Sequence, residues 1–237
     1  LLKKIWEEHN GFDVIQACNP PDLIYLTVKK YIKMGVKFIF DHHDINPELY
    51  IAKFNRKDIF YRLLKYFERR TFHYASISIA TNESYKKIAI ERGSMDANDV
   101  YVVRSSPDLN RMKIQEPKLE IKKGKLITIG YIGVIGQQEG IDHLLKSLRV
   151  LRNKYNYNDF HCYIIGDGPV RDDMVNLTQE LKMQDFVSFP GRIPDQEMLD
   201  ILNSCDICVN PDIYNEMNDK STMNKIMEYM SLGKPIV

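Results

Sequence analysis

The sequence predicts an α/β protein built from two Rossmann-like domains, and three observations carry that prediction. Short apolar runs alternate with helical patterns along nearly the whole chain, the signature of parallel βαβ units. The rhythm stops once, between Arg104 and Lys125, where Pro107, Pro117 and a cluster of charges leave no sustained period. Hydrophobic residues make up 44% and charged residues 27% of the 237, enough apolar material for one large domain or two modest ones. The division is therefore an N-terminal domain over 1–104, a linker over 105–125 and a C-terminal domain over 126–237.

In the first half the pattern gives a strand at Asp13 to Ala17, a helix opened by Pro20, and a strand at Val36 to Phe40. A long helix from Asp58 to Tyr74, a strand at Ser76 to Ala80, a helix from Glu83 to Glu91 and a strand at Val100 to Val103 follow. In the second half, strands at Leu126 to Ile132, His161 to Ile165, Phe186 to Phe189 and Ile207 to Asn210 alternate with helices. Those helices run from Ile141 to Arg152, Pro169 to Leu181, Gln196 to Asn203 and Thr222 to Ser231, with Gly233 as a left-handed stop. The chain opens inside an amphipathic helix and stops at Lys234-Pro-Ile-Val237, which reads as the start of a buried strand, so both domains are expected to be truncated at the chain ends.

The formal net charge of +1 removes any global electrostatic case for nucleic acid. No apolar run approaches the roughly 18 residues that span a bilayer, which makes the cytoplasm the default location. Cys205-x-x-Cys208 has no second pair nearby, so buried thiols are expected there and not zinc. From Lys53 to Arg70, seven Lys and Arg residues interleave with Phe54, Phe60, Tyr61, Leu64 and Phe67. Such a stretch either rests on anionic lipid head groups at the inner face of a membrane or covers its own sheet as a solvated helix.

In open parallel sheets, ligands lie beyond the carboxyl ends of the strands, so binding chemistry is expected on the loops there. Gly133-Val-Ile-Gly136 and Gly166-Asp-Gly168 each join a strand to a helix, and each reads as a tight turn or as a phosphate loop. Ser221 or Thr222 is placed to cap a helix whose Met223, Ile226, Met227 and Met230 form a buried stripe. The opposite face carries Ser221, Lys225 and Glu228. Lys220, Lys225 and the helix amides would hold a diphosphate, and Glu228 would accept hydrogen bonds from vicinal ribose hydroxyls. An exposed Lys225/Glu228 helix pair is the alternative. In the first half, His42, His43 and Asp44 directly follow an apolar strand and are candidate catalytic groups.

These segments together resemble the family 4 retaining glycosyltransferases of the GT-B fold. The resemblance rests on Tyr131-Ile-Gly-Val-Ile-Gly136 with Gly140, Ile164-Ile-Gly-Asp-Gly-Pro169, Phe189-Pro-Gly-Arg192, Asp206 to Pro211, and Lys225-Ile-Met-Glu-Tyr-Met-Ser-Leu-Gly-Lys-Pro235. In the first half, Asp41-His-His-Asp44 with Pro47-Glu48, and Val102 to Asp108, resemble a branch that makes surface polysaccharides such as O-antigen and capsule, including fucosamine transferases. The resemblance implies a nucleoside-diphosphate sugar donor (a UDP-sugar is favoured), a saccharide or lipid-linked acceptor, and Gly133, Gly136, Gly166, Gly168, Arg192, Ser221, Thr222, Lys225 and Glu228 on the donor. Glu228 matches the second glutamate of the family's Glu-x7-Glu signature, while Lys220 stands where the first is expected. Val134 and Glu139 stand where relatives carry cations, so Lys220 and Lys225 are expected to replace the lost charge. His43 matches an acceptor-side histidine, with His42 beside it. No Asp-x-Asp occurs, so no metal and no cofactor is expected. A nucleotide-sugar epimerase of the same architecture and a non-catalytic sugar-nucleotide binder remain alternatives.

Overall fold

Phe38, Phe40 and His42 alternate with more exposed neighbours along one strand and are fully buried, as period-two geometry requires of a strand with one face on a core. The computed structural model describes residues 1–237. The first elements are α1 (Leu2–Glu8), β1 (Val14–Cys18), α2 (Tyr25–Ile32), β2 (Lys37–His42), α3 (Asn46–Phe54), α4 (Ile59–Tyr74), β3 (Ile77–Ala80), α5 (Glu83–Glu91) and β4 (Val100–Val102). They continue with β5 (Ile127–Ile132), α6 (Ile141–Tyr155), β6 (Phe160–Ile165), α7 (Arg171–Glu180), β7 (Val187–Gly191), α8 (Asp195–Ser204), β8 (Ile207–Cys208), α9 (Glu216–Lys220) and α10 (Asn224–Ser231). Two four-stranded sheets result, ordered β1-β2-β3-β4 and β7-β6-β5-β8, with every pairing parallel. The chain forms two compact units: Leu1–Ser105 with Asn215–Thr222, and Ser106–Tyr214 with Met223–Val237.

In the first unit, Val28, Tyr31, Phe38, Phe40, Ile45, Phe72 and Tyr85 form the core. Each such side chain contributes about 1.5–3 kcal/mol by leaving water. His42 belongs to this core, which corrects its assignment as a catalytic group. β2 runs two residues further than Phe40, so His42 turns inward between the rings of Phe40, Phe72 and Tyr85 at 5.4, 5.0 and 5.3 Å. Beneath it lies a buried ionic network. Arg92 donates to both oxygens of Glu48 at 2.7 and 3.1 Å and to Glu68 at 2.7 Å, and Lys220 lies 3.5 Å from Glu48. Two carboxylates and two cations close the charge to zero. Burial pushes Glu48 up, but hydrogen bonds and charge from Arg92, with the charge of Lys220, outweigh it and hold the carboxyl below its ordinary value.

In the second unit β6 is buried along its whole length, as a central parallel strand covered on both faces must be. The proline-rich segment before β5 packs on this unit. Met112 is buried there, the Asn203 side chain bonds Lys113 O and Gln115 N, and Lys118 and Lys122 pair with Asp200 and Asp206 at 2.5 and 2.6 Å. Cys162, Cys205 and Cys208 are free thiols inside the core, and burial pushes Cys162 up to about 12. No helix is long and apolar enough to cross a membrane.

Replacing Arg92 by Met should destabilise the first unit by about 3–5 kcal/mol, because two buried carboxylates lose their counter-charge. Its effect on pH dependence has a defined sign. In the parent, the lowered Glu48 contributes stability above the ordinary value of 4.5 that is lost as pH falls through its depressed folded value. Without Arg92 burial dominates, and that contribution should instead weaken as pH rises; denaturant unfolding from about pH 2 to 7 reads both effects.

Candidate functional site

The carboxyl edge of the second sheet is built by loops that interlock through their backbones. After β5, Gly133 N donates to Ile165 O at 3.1 Å and Ile135 N to Asp167 O at 3.0 Å; after β6, Val170 N donates to Ile135 O at 3.3 Å. A Cβ on Gly166 would stand 1.9 Å from Gly133 O, and one on Gly168 would stand 2.4 Å from Ile135 O. Close approach of the two loops thus accounts for both residues being glycine, independently of any ligand. Gly136 opens the turn Gln137–Glu139 ahead of α6.

α10 lies against this edge with a different face from the one its apolar pattern suggests. Lys225 and Tyr229 are its buried residues, whereas Met230 is 66% exposed. Tyr229 decides the orientation: its hydroxyl accepts from Ile132 N at 2.8 Å and donates to Val209 O at 3.4 Å, joining the ends of two strands. Lys225 is consequently drawn under the helix. Its ammonium pairs with Glu139 at 2.7 Å and Asp212 at 3.1 Å and lies 4.9 Å from the centre of the Tyr131 ring. Burial pushes Asp212 up against the pull of Lys225. Glu228, three residues on, is half-buried, and its carboxylate makes no hydrogen bond or ion pair. Desolvation pushes it up, opposed by the charge of Arg111 and assisted by Asp195. Arg111 is held by Asp195 through bonds of 2.6 and 2.7 Å, and Arg192, exposed, adds its charge beside the same Asp195.

Three expected donor residues fall elsewhere. Ser221 and Thr222 do not cap α10, which starts after Met223 with no side-chain cap. They and Lys220 belong to the first unit, where Asn82 donates to Lys220 O and Thr222 Oγ1 at 2.9 and 3.1 Å and Tyr85 meets Ser221 Oγ at 3.1 Å. The ammonium of Lys220 lies 3.5 Å from Glu48 and 3.6 Å from Glu216, so both lysines expected to replace the lost charge already face carboxylates.

At the carboxyl edge of the first sheet, His43 is half-exposed and its Nε2 lies 2.9 Å from Asp41, which also accepts from Gln16 at 3.0 Å. Asn19 builds the loop that presents it. Its Oδ1 accepts from His43 N and Asp44 N, while its Nδ2 donates to Asp44 O and Asp22, which is held in turn by Asn46. Asp44 is therefore fixed through its backbone, and His43 is oriented by a carboxylate. Asn19, Asp212 and Arg111 are not legible as site residues, whereas Asp41 stands in the Asp41-His-His-Asp44 motif and Glu139 at a position where relatives carry a cation; for Asn19, a polar residue at a strand end is the available signal.

Two units with parallel four-stranded sheets, each carrying its polar groups at the carboxyl edge, define the GT-B class of fold. Residues 126–237 match the family described as Glycosyl transferases group 1. A 2-deoxystreptamine glucosyltransferase of Streptomyces kanamyceticus is 24% identical over 68% of this chain and 42% of its own length. A chitobiosyldiphosphodolichol beta-mannosyltransferase of Candida albicans is 20% identical over 99% of this chain and 55% of its own. The chain thus spans about half the length of the curated relatives it matches. Among solved structures, Anabaena HepE in complex with UDP superposes with a TM-score of 0.74 at 18% identity, covering 99% of this chain and 62% of its own. Sucrose-phosphate synthase from Thermosynechococcus elongatus gives 0.74 at 16%, covering 99% and 57%. Gly166→Ala should cost more than about 2 kcal/mol, since the residue is at φ +136° with a carbonyl where the methyl would go. Denaturant unfolding measures it.

Proposed function

We propose that the protein is a glycosyltransferase that moves a sugar from a nucleoside-diphosphate sugar to a saccharide or lipid-linked acceptor, with retention of configuration, in cell-surface polysaccharide synthesis. The observation that carries the reading is Glu228: a half-buried, desolvated carboxylate without a protein partner, inside the segment that matches the glycosyl transferases group 1 family. An unpaired carboxylate at such a depth is costly unless a ligand supplies donors, and the vicinal hydroxyls of a ribose do so. A UDP-sugar is favoured, consistent with HepE having been solved with UDP.

The main catalytic demand is charge. As the glycosidic bond breaks, negative charge grows on the departing β-phosphate, and fixed donors placed there lower the barrier. The first-turn amides of α10 and the ammonium of Lys225 are suited to that role, with no divalent ion required. His43, held by Asp41, would orient acceptor groups near the sugar, with Asp44 beside it. An anionic membrane is the proposed second surface. Phe54, Ile59, Phe60 and Tyr66 are each more than half exposed among Lys53, Arg56, Lys57, Arg62 and Arg69, so apolar and cationic groups share one face.

The test is transfer by the intact protein from UDP-, GDP- and ADP-sugars, with and without a lipid-linked or saccharide acceptor. Acceptor-dependent transfer, cut at least 100-fold by Glu228→Ala and by His43→Ala, is expected. Isomerised sugar without acceptor points to an epimerase, and binding without turnover to a sensor.

A further inference from the structure

Lys225 is brought to the interlocked loops of the second unit, yet it faces two carboxylates, which leaves these three groups with a formal charge of −1. A diphosphate brought to Lys225 would therefore meet an excess of negative charge. The two acids differ in how they are held. Asp212 has a side chain 5% exposed and follows Pro211, whose carbonyl packs against Gly140. Glu139 is 17% exposed and sits on a single turn, Gln137–Glu139, between Gly136 and a left-handed Gly140. Its other side-chain contacts are the Tyr131 hydroxyl and Gln138, both at 3.3 Å, and the carboxyl of Asp212, whose value it pushes up. The Tyr131 hydroxyl has an alternative acceptor in Val134 O at 3.0 Å.

We infer that Glu139 is an exchangeable counter-ion, occupying at Lys225 the place an anionic ligand oxygen takes, while Asp212 remains the permanent partner. The inference rests on the proposed nucleoside-diphosphate site and adds a residue that sets its affinity. Binding of a diphosphate swings Glu139 out, and departure of the diphosphate lets it return. Lys225 thereby keeps two anionic partners in both states, Asp212 and either Glu139 or the ligand. The cost of displacing Glu139 holds down affinity for the nucleoside diphosphate left after transfer, which favours its release. Because the competition is for one phosphoryl oxygen next to Lys225, it acts on diphosphates and not on monophosphates, whose only phosphate would be the one nearer the ribose.

Calorimetric titration of the intact protein with UDP and UMP tests this, with GDP/GMP and ADP/AMP as replacements if the base differs. Glu139→Gln, which keeps shape and removes charge, should bind the diphosphate about tenfold tighter and the monophosphate unchanged. Glu139→Ala should behave alike, guarding against a folding artefact of either variant. Lys225→Met should lose the preference for diphosphate over monophosphate. A parent that binds UDP together with a Glu139→Gln protein that binds it equally or more weakly overturns the exchange. Failure of the parent and both Glu139 variants to bind any of the diphosphates overturns the donor-site reading itself.

Discussion

The ammonium of Lys225 ties together the segments that make up the carboxyl edge of the second sheet. It reaches Glu139 from the loop after β5, Asp212 from the loop after β8 and the face of Tyr131 in β5, all from the first turn of α10. The Tyr229 hydroxyl fixes the next turn of the same helix to the strand ends. With those two anchors set, Glu228 is left on the flank beside them with no partner. A helix rolled to bury its methionines would put Lys225 in water and cost both anchors. The position of the unpaired glutamate thus follows from the need to satisfy a buried lysine and a buried tyrosine.

The first unit shows the opposite condition. Its Glu48, Glu68, Arg92 and Lys220 balance in charge and pair with one another. At the rim, His43 is half-exposed and held by Asp41. His42 and His43 differ although they are neighbours in sequence: His42 is fully buried with neither ring nitrogen hydrogen-bonded, and His43 is half-exposed and held by Asp41.

Most strands and long helices were legible, because β5, β6 and α6 have clean apolar runs or a 3.6-residue stripe. α3 was missed because Pro47 and the short span of Asn46–Phe54 offer little period, and α9 because five residues hold barely one turn. The face of α10 was misread for a chemical reason: apolar counting gives weight to Met223 and Met230, but a tyrosine with two backbone partners and a lysine with two carboxylates outweigh them. Lys220 shows a limit of another kind. Its partners Glu48 and Glu216 include a residue far away in sequence, and only the fold reveals that 215–222 joins the first unit. Glu228 was found through its family resemblance and its spacing, but its lack of partners is visible only in three dimensions.

The central claim is that a nucleoside diphosphate is held by the second unit between the interlocked loops and α10. Amide hydrogen exchange on the intact protein, with and without a saturating nucleoside diphosphate, tests it most directly. Protection concentrated in 133–140 and 223–229, with the interior of β6 unchanged, is the predicted result. Protection that spares both segments, or that falls only in the first unit, would contradict it.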